Sequence, residues 1–515
     1  MPIREQSIIL NFYDLERVSA LESTIVHSSN EEEIQSAWRK ADEAFTPWAS
    51  LAIEKRLSYI QLLRFTISEL REEIADIIST ATGKPPIEAL GSEVIPVLEA
   101  LRHIEKEASG LFNRERVRTP MIFMGKNSSI IRKPRGKIVI ISPWNFPFQL
   151  SLIPVVEALT AGNCVLLKPS EETPLASLLL EKISGLFPDG VFQVLHGGAE
   201  TGRLMIEQQP DYIHFTGSVA TGKVIQKQAA EHLILTTLEL GGKDAMIVHE
   251  DANVERAANA AAWGAFMNSG QVCLSVERVI VHEDVQEAFL NSVHRTISNL
   301  RREDRKEYEI GRMTTKKQWD IVYSQVQEAL DQGAEQIAGR PPEQWDKQSL
   351  TIEPIILTGV NREMRVWKEE TFGPVFSVRT YSKIDEALEL FHDTIYGLSG
   401  SVFTADQELA ASIAAKVRTG NFMINDVISH AANHYLPYGG AKQSGIGSYH
   451  STAGMRSFSI ETSVMSARGS MNSEILWYPY EGKFESLSQI IDYYYGRNRN
   501  WKSFLQTFMG LTRRP

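Results

Sequence analysis

The chain has 515 residues, enough for more than one hydrophobic core, since a single core rarely grows past roughly 250–300 residues. With 43% hydrophobic and 23% charged residues it reads as an ordinary globular protein, and a formal net charge of −11 argues against a general nucleic-acid partner. Its two cysteines, Cys164 and Cys273, are too few for a disulfide framework, which favours a reducing, cytoplasmic setting. The first residues lack the charged-then-apolar pattern of a leader, and no stretch offers the roughly 18 uninterrupted apolar residues of a membrane span.

In chain order, apolar residues three and four apart predict helices over 31–48, 52–82 and 87–108. Between 125 and 142 the pattern becomes alternating and β-branched, and Pro134-Arg135-Gly136 reads as the turn of a hairpin between two strands. Strands near 163–167, 191–195, 212–215 and 244–248 then alternate with helices near 175–186 and 223–231, which predicts a parallel sheet covered on both faces. A second α/β stretch runs from about 251 to 437 and opens with an Ala-rich helix ending at Gly270. From 469 onward aromatic residues interleave with Lys and Arg, so this tail reads as an appendage.

Some residues have chemistry to offer. Cys273 follows the Ala-rich helix in NSGQVCLSVERV, where a thiol can face a cleft; by itself a lone cysteine reads as a small buried hydrophobe, and Cys164 in AGNCVLL fits that description. Glu239 ends an apolar run and precedes Gly241-Gly242, a place for a tight turn and an inward-facing base, although an isolated glutamate is usually a solvated charge. Asn145 in PWNFP can donate to a developing oxyanion or stabilise its own turn. DYIHFTGSVATGKVI is strand, glycine turn and helix, which places Gly217, Ser218 and Gly222 where backbone N–H groups hold a phosphate. Gly217 to Lys223 also fits GxxxxGK, a phosphotransfer reading, but Val224 stands where that loop needs Ser or Thr for magnesium. The twelve histidines form no HExxH-type pair, so no metal is implied.

Taken in order, PWNFP, KPSEETP, FTGSVATG, LELGGKD, GQVC, EETFGP and PYGGAKQSGIG resemble the aldehyde dehydrogenase superfamily over about residues 30–465. The resemblance implies an α/β fold with a Rossmann-like NAD-binding domain (1–124 and 144–248), a catalytic domain (249–437) and a β-strand oligomerisation arm (125–143 and 438–468), followed here by an extension (469–515). It implies Cys273 as nucleophile, Asn145 with the Cys273 N–H as oxyanion donors, hydride transfer to a nicotinamide, and Glu239 as the base that activates water against a Cys273 thioester. For NAD it implies Lys168 and Glu171 at the adenosine ribose and Gly217 and Ser218 at the pyrophosphate, with Ser170 and Gly222 also in the cofactor site. Ser142, Pro143, Trp144 and Leu240 then lie along the cofactor, and Glu370 and Phe372 at the nicotinamide ribose. Glu171 would repel a 2′-phosphate, so NAD is expected over NADP, with NADP as the lesser alternative.

The resemblance further implies a homodimer or homotetramer and a small-molecule aldehyde substrate. LWYPYEGKFESL in the tail is similar to the carboxyl ends of fatty-aldehyde and class 3-like relatives. Its aromatics either pack on the body or suit a membrane surface and a long hydrophobic aldehyde, fatty, polyene or aromatic; an acidic semialdehyde is the alternative substrate.

Overall fold

The computed structural model describes residues 26–302, 307–470 and 472–512. Its first helix, Glu31–Ala49, starts where Asn30 and Glu33 close a capping box, each side chain accepting the other's backbone N–H at 2.9 Å, with Glu31, Glu32 and Glu33 in the favourable first turn. The stretch expected as one helix over 52–82 is two, Ile53–Glu69 and Arg71–Thr82, because Leu70 leaves helical geometry between them. The next expected helix begins as Pro86–Ala89, widens into a π turn at Leu90–Val94 and continues as Ile95–Phe112. That wide turn carries Glu93, whose carboxylate is fully buried.

Two parallel-dominated sheets follow. The first runs in the order Gly445–Ile446, Thr236–Glu239, Tyr212–Thr216, Lys137–Ile141, Cys164–Lys168, Phe192–Val194, all parallel except the antiparallel Gly445–Ile446 edge. The second runs Glu335–Ala338, Ile355–Thr358, Val375–Tyr381, Val276–His282, Asp244–Val248, Gly400–Phe403, Met423–Ile424, with only Glu335–Ala338 antiparallel. Both confirm the α/β expectation. The turn at 134–136 is a correction: the strand before it lies in a separate three-stranded sheet, whereas Lys137–Ile141 pairs with Cys164–Lys168 and Tyr212–Thr216. Ile138 to Ile141 are buried in succession, the mark of a strand covered on both faces and not of a hairpin arm.

The chain divides into two compact units, 1–113 with 132–461, and 114–131 with 462–515. The first holds both large sheets. Within the second, Glu115–Val117 pairs antiparallel with residues 128–130, and helices Lys483–Tyr495 and Trp501–Thr512 pack on each other around Ile490, Phe504, Phe508 and Leu511, with Met121, Ile122 and Ile475 against them. The tail is thus a helical pair with its own small core. Phe504→Ala should remove about 3–5 kcal/mol of that packing and expose the linker to trypsin at Arg497 and Arg499. Limited proteolysis read by mass spectrometry checks this; cleavage no faster than in wild type would contradict it.

Candidate active site

In the first sheet the strands Lys137–Ile141, Cys164–Lys168, Tyr212–Thr216 and Thr236–Glu239 are parallel, so Ser142, Lys168, Gly217 and Glu239 emerge together at their carboxyl ends. Sheets of this kind bind ligands at that edge. The Ala-rich helix Val254–Phe266 leads from the second sheet into Asn268, Ser269 and Gly270, three successive residues at φ +51, +54 and +70. Only tight support keeps two non-glycine residues there. A Cβ at Gly270 would lie 2.0 Å from the Gly373 carbonyl oxygen, so the turn needs glycine as well as tolerating it.

The support is a buried network. Lys84 and Glu93 form an ion pair of 2.7 Å with no side-chain exposure on either partner. The Lys84 ammonium also donates to the Asn145 carbonyl at 2.8 Å, and Glu93 accepts from the N–H groups of Phe148 and Gln149 at 2.9 and 3.0 Å. Asn268 donates its side-chain amide to the same Asn145 carbonyl at 3.0 Å, while the Asn145 amide donates to the Gln271 carbonyl at 3.0 Å. The PWNFP turn and the strained turn before Cys273 are therefore tied together through Asn145.

Cys273 is half-buried, with its Sγ 3.6 Å from the Tyr438 hydroxyl. Burial pushes the thiol up to about 12, and the carboxyl groups of Glu370, Asp244 and Glu239 push the same way. Glu239 is buried, neither carboxyl oxygen meets a partner among the described residues, and burial raises it well above the carboxylate range. Beside Cys273 opens a cavity of about 480 Å³ lined by Phe146, Leu150, Trp263, Phe266, Ile310 and Ile428 among others. Such a volume suits a small molecule.

The remaining residues singled out in sequence form a cradle on the other side. Lys168 donates to the Gly197 carbonyl at 2.8 Å and to Glu171 at 3.3 Å, and Ser170, Glu171, His196 and Gly197 border a cleft of about 240 Å³. Ser218 caps the helix Val219–Ala230, accepting from Thr221 N–H at 3.2 Å. A Cβ at Gly222 would come within 2.6 Å of the Leu240 side chain, so these two residues seat that helix. Glu370 accepts from the Gly242 N–H at 3.0 Å and leaves no room for a Cβ at Gly241. Trp144, which follows Ser142 and Pro143, meets Phe372 edge to face with ring centroids 5.5 Å apart. A second buried pair, Lys243 with Glu277, holds this segment: Glu277 accepts from Thr371 N–H at 2.8 Å and Phe372 N–H at 2.9 Å. Capped helix start, close glycines and an unpartnered Ser142 hydroxyl together fit an elongated, phosphate-bearing dinucleotide.

Residues 15–464 match the aldehyde dehydrogenase family. The chain belongs to that family. The 4,4′-diapolycopene aldehyde oxidase of a Methylomonas species is 36% identical over 485 residues, 92% of this chain and 91% of its own. The 4,4′-diaponeurosporen-aldehyde dehydrogenase of Staphylococcus aureus is 31% identical over 435 residues, 84% of this chain and 94% of its own. Among solved structures, the aldehyde dehydrogenase of Mycobacterium tuberculosis complexed with NAD+ superposes with a TM-score of 0.81 at 30% identity, covering 86% of this chain and 92% of that one. This aldehyde dehydrogenase is accordingly an oxidoreductase acting on aldehydes.

Four features of the aldehyde dehydrogenase site are not singled out by the sequence reading: Tyr438, Glu88 and the two buried ion pairs. Tyr438 sits inside the PYGG motif and was within reach of that signal; the others depend on contacts between segments far apart in the chain. Because burial sets the Cys273 thiol, its alkylation by iodoacetamide should accelerate about tenfold per unit between pH 7 and 9, following the thiolate fraction, while Cys164, buried at 0% exposure, stays unmodified. A rate already level at neutral pH would refute the buried-thiol account.

Proposed function

We propose that this chain oxidises a long, neutral, apolar aldehyde of carotenoid or fatty type to its carboxylic acid, with NAD as acceptor. The observation that carries this reading is the tunnel beside Cys273: among its described lining residues there is no lysine or arginine, and the carboxyl groups of Glu88 and Glu309 are present. An acidic semialdehyde needs a cation to anchor its carboxylate, and among the described lining residues it would meet the Glu88 carboxyl and no lysine or arginine. Glu309 is already paired with Arg301, whereas Glu88 accepts from the Asn268 N–H at 2.8 Å and is pushed up to about 7 by burial. The two carotenoid-type aldehyde enzymes among the relatives point to the same substrate class.

The residues then take these roles. Cys273 loses its proton and bonds the aldehyde carbon. The second N–H of the Asn145 amide, whose first is fixed on Gln271, donates to the oxyanion together with the Cys273 N–H. Bound NAD supplies the two-electron acceptor of the oxidation. Lys168, Ser170 and Glu171 would hold its adenosine ribose, Gly217 and Ser218 its pyrophosphate, Glu370 and Phe372 its nicotinamide ribose, with Ser142, Pro143, Trp144, Gly222 and Leu240 shaping the groove. Glu239 takes a proton from the water that attacks the Cys273 thioester, the C–S bond breaks, and the acid leaves. We assign residues 1–124 and 135–248 to cofactor binding, 249–458 to catalysis with 445–446 closing the edge of the cofactor sheet, and 125–134 with 459–468 to an arm for self-association. The tail exposes Trp477, Tyr478, Tyr480, Phe484, Tyr495 and Trp501 beside Arg497, Arg499 and Lys502, a composition suited to peripheral membrane contact. No described helix is long and apolar enough to cross a membrane.

NADH formation with aldehydes from acetaldehyde to dodecanal and polyene aldehydes tests the assignment. We expect kcat/KM to rise with apolar length, succinic semialdehyde to lie about 100-fold or more below a neutral aldehyde of equal length, and Cys273→Ala to abolish turnover. Preference for the semialdehyde would overturn the substrate class. Glu171→Gln should shift the ratio of specificity constants toward NADP by roughly tenfold, the worth of one charge contact near the surface; an unchanged ratio would remove Glu171 from cofactor choice.

A further inference from the structure

Parallel sheets covered on both faces are normally apolar throughout. Here one face of two adjacent strands is polar. Tyr212, His214 and Thr216 alternate to the same side, and the register sets His214 against Thr237 and Thr216 against Glu239. The hydroxyl of Thr216, both nitrogens of His214 and both oxygens of Glu239 are buried without a protein partner. The polar row does not stop at the sheet. His214 lies 5.2 Å from the ring of Tyr449, Tyr449 lies 4.1 Å from His450, and His450 lies 4.3 Å from His434. His450 is within electrostatic reach of His103, His214, His430 and His434 together. At the far end His103 meets Tyr435, which is exposed and touches Lys106.

All five histidines are less than one-tenth exposed, and nine of their ten ring nitrogens lack a partner among the described residues. Leaving so many polar atoms dry costs far more than hydrating them. Metal ligation does not account for them: among the described residues the one group with three ligand atoms within 4.8 Å of one another is Glu250, His282 and Asp284. His450 is also held at φ +61, a strained setting for a non-glycine residue.

We propose that His103, His434, His450 and His214 line a hydrated path, with His430 at its side, that brings the deacylating water to Glu239 and carries protons out while the acyl chain fills the tunnel. The proposal rests on the long-aldehyde reading, because an apolar acyl group on Cys273 closes the wide entrance to water. In the step itself the water oxygen bonds the acyl carbon, the C–S electron pair returns to Cys273, and the water proton passes to Glu239. Burial pushes Glu239 toward its protonated form, so forming the carboxylate before each deacylation calls for a neighbour that both accepts and donates. Burial keeps these imidazoles neutral, with His214 pushed down to about 3 and His434 to about 4, so each offers one donor and one acceptor.

The test compares wild type with His434→Leu and His434→Gln, and with His103→Leu nearer the surface in case the first fails to fold. With dodecanal, His434→Leu should show a burst of about one NADH per subunit followed by a steady rate at least about tenfold slower, with the acyl-enzyme visible by intact mass; the ratio of dodecanal to acetaldehyde turnover should fall by the same factor. His434→Gln should recover most of it. Equal losses for both aldehydes, or loss of the burst, would overturn the path. A crystal structure of the unliganded wild type tests the path with no substrate involved: ordered waters joining His103, His434, His450 and His214 are expected, and a dry cluster would refute the proposal. Failure of wild type on dodecanal, with those waters present, would count against the substrate reading alone.

Discussion

The ion pair between Lys84 and Glu93 is the interaction on which the reactive geometry depends. Two charges removed fully from water carry a desolvation penalty of several kcal/mol each, and their attraction offsets it only when the remaining donors and acceptors are also satisfied. They are satisfied here: the ammonium reaches the Asn145 carbonyl and lies 4.1 Å from the Phe146 ring, and the carboxylate receives two backbone N–H groups. Through these contacts the pair fixes the PWNFP turn. An apolar replacement of similar volume would pack well, but it would remove one of the two donors on the Asn145 carbonyl and leave the Phe148 and Gln149 N–H groups without their acceptor.

Lys243 and Glu277 repeat the device across the cleft, where they fix Thr371 and Phe372 and, through Lys243, the Thr371 hydroxyl at 3.0 Å. Between the two pairs the reactive groups are buried, and burial sets the direction in which each shifts. Cys273 and Glu239 are both pushed toward their neutral forms, and Glu370 is pushed up to about 8 by burial and by the Glu277 charge. A site at rest in this condition is unreactive toward solvent. The charged forms needed for chemistry become favourable only as ligands and water supply new hydrogen bonds.

Much of this was legible in sequence, for reasons that differ by residue. Cys273, Glu239 and Asn145 sit in short motifs whose glycines and prolines dictate local turns, so their placement is encoded within a few residues. The alternation of strand and helix likewise announced the α/β fold. What the chain concealed was long-range: Lys84 and Asn145 are 61 residues apart, and Lys243 and Glu277 are 34 apart. The turn at 134–136 misled because β-branched runs on either side look alike, although one strand is covered on both faces and the other is not. The tunnel's lining comes from at least four separate segments, and its apolar character has no linear signature.

The same separation of labour follows from the conflict between substrate and solvent. A long apolar aldehyde demands a tunnel that gains by excluding water, since burying its chain contributes roughly 0.8 kcal/mol per CH₂. Thioester hydrolysis demands water and a place for a proton. One opening cannot serve both while the acyl chain occupies it. Apolar side chains line most of the cavity beside Cys273, while Tyr438, Tyr449 and His450, which border the same cavity, lead toward the buried imidazoles. An enzyme for small, soluble aldehydes would have no need of that polar row, because water could follow the substrate's own route.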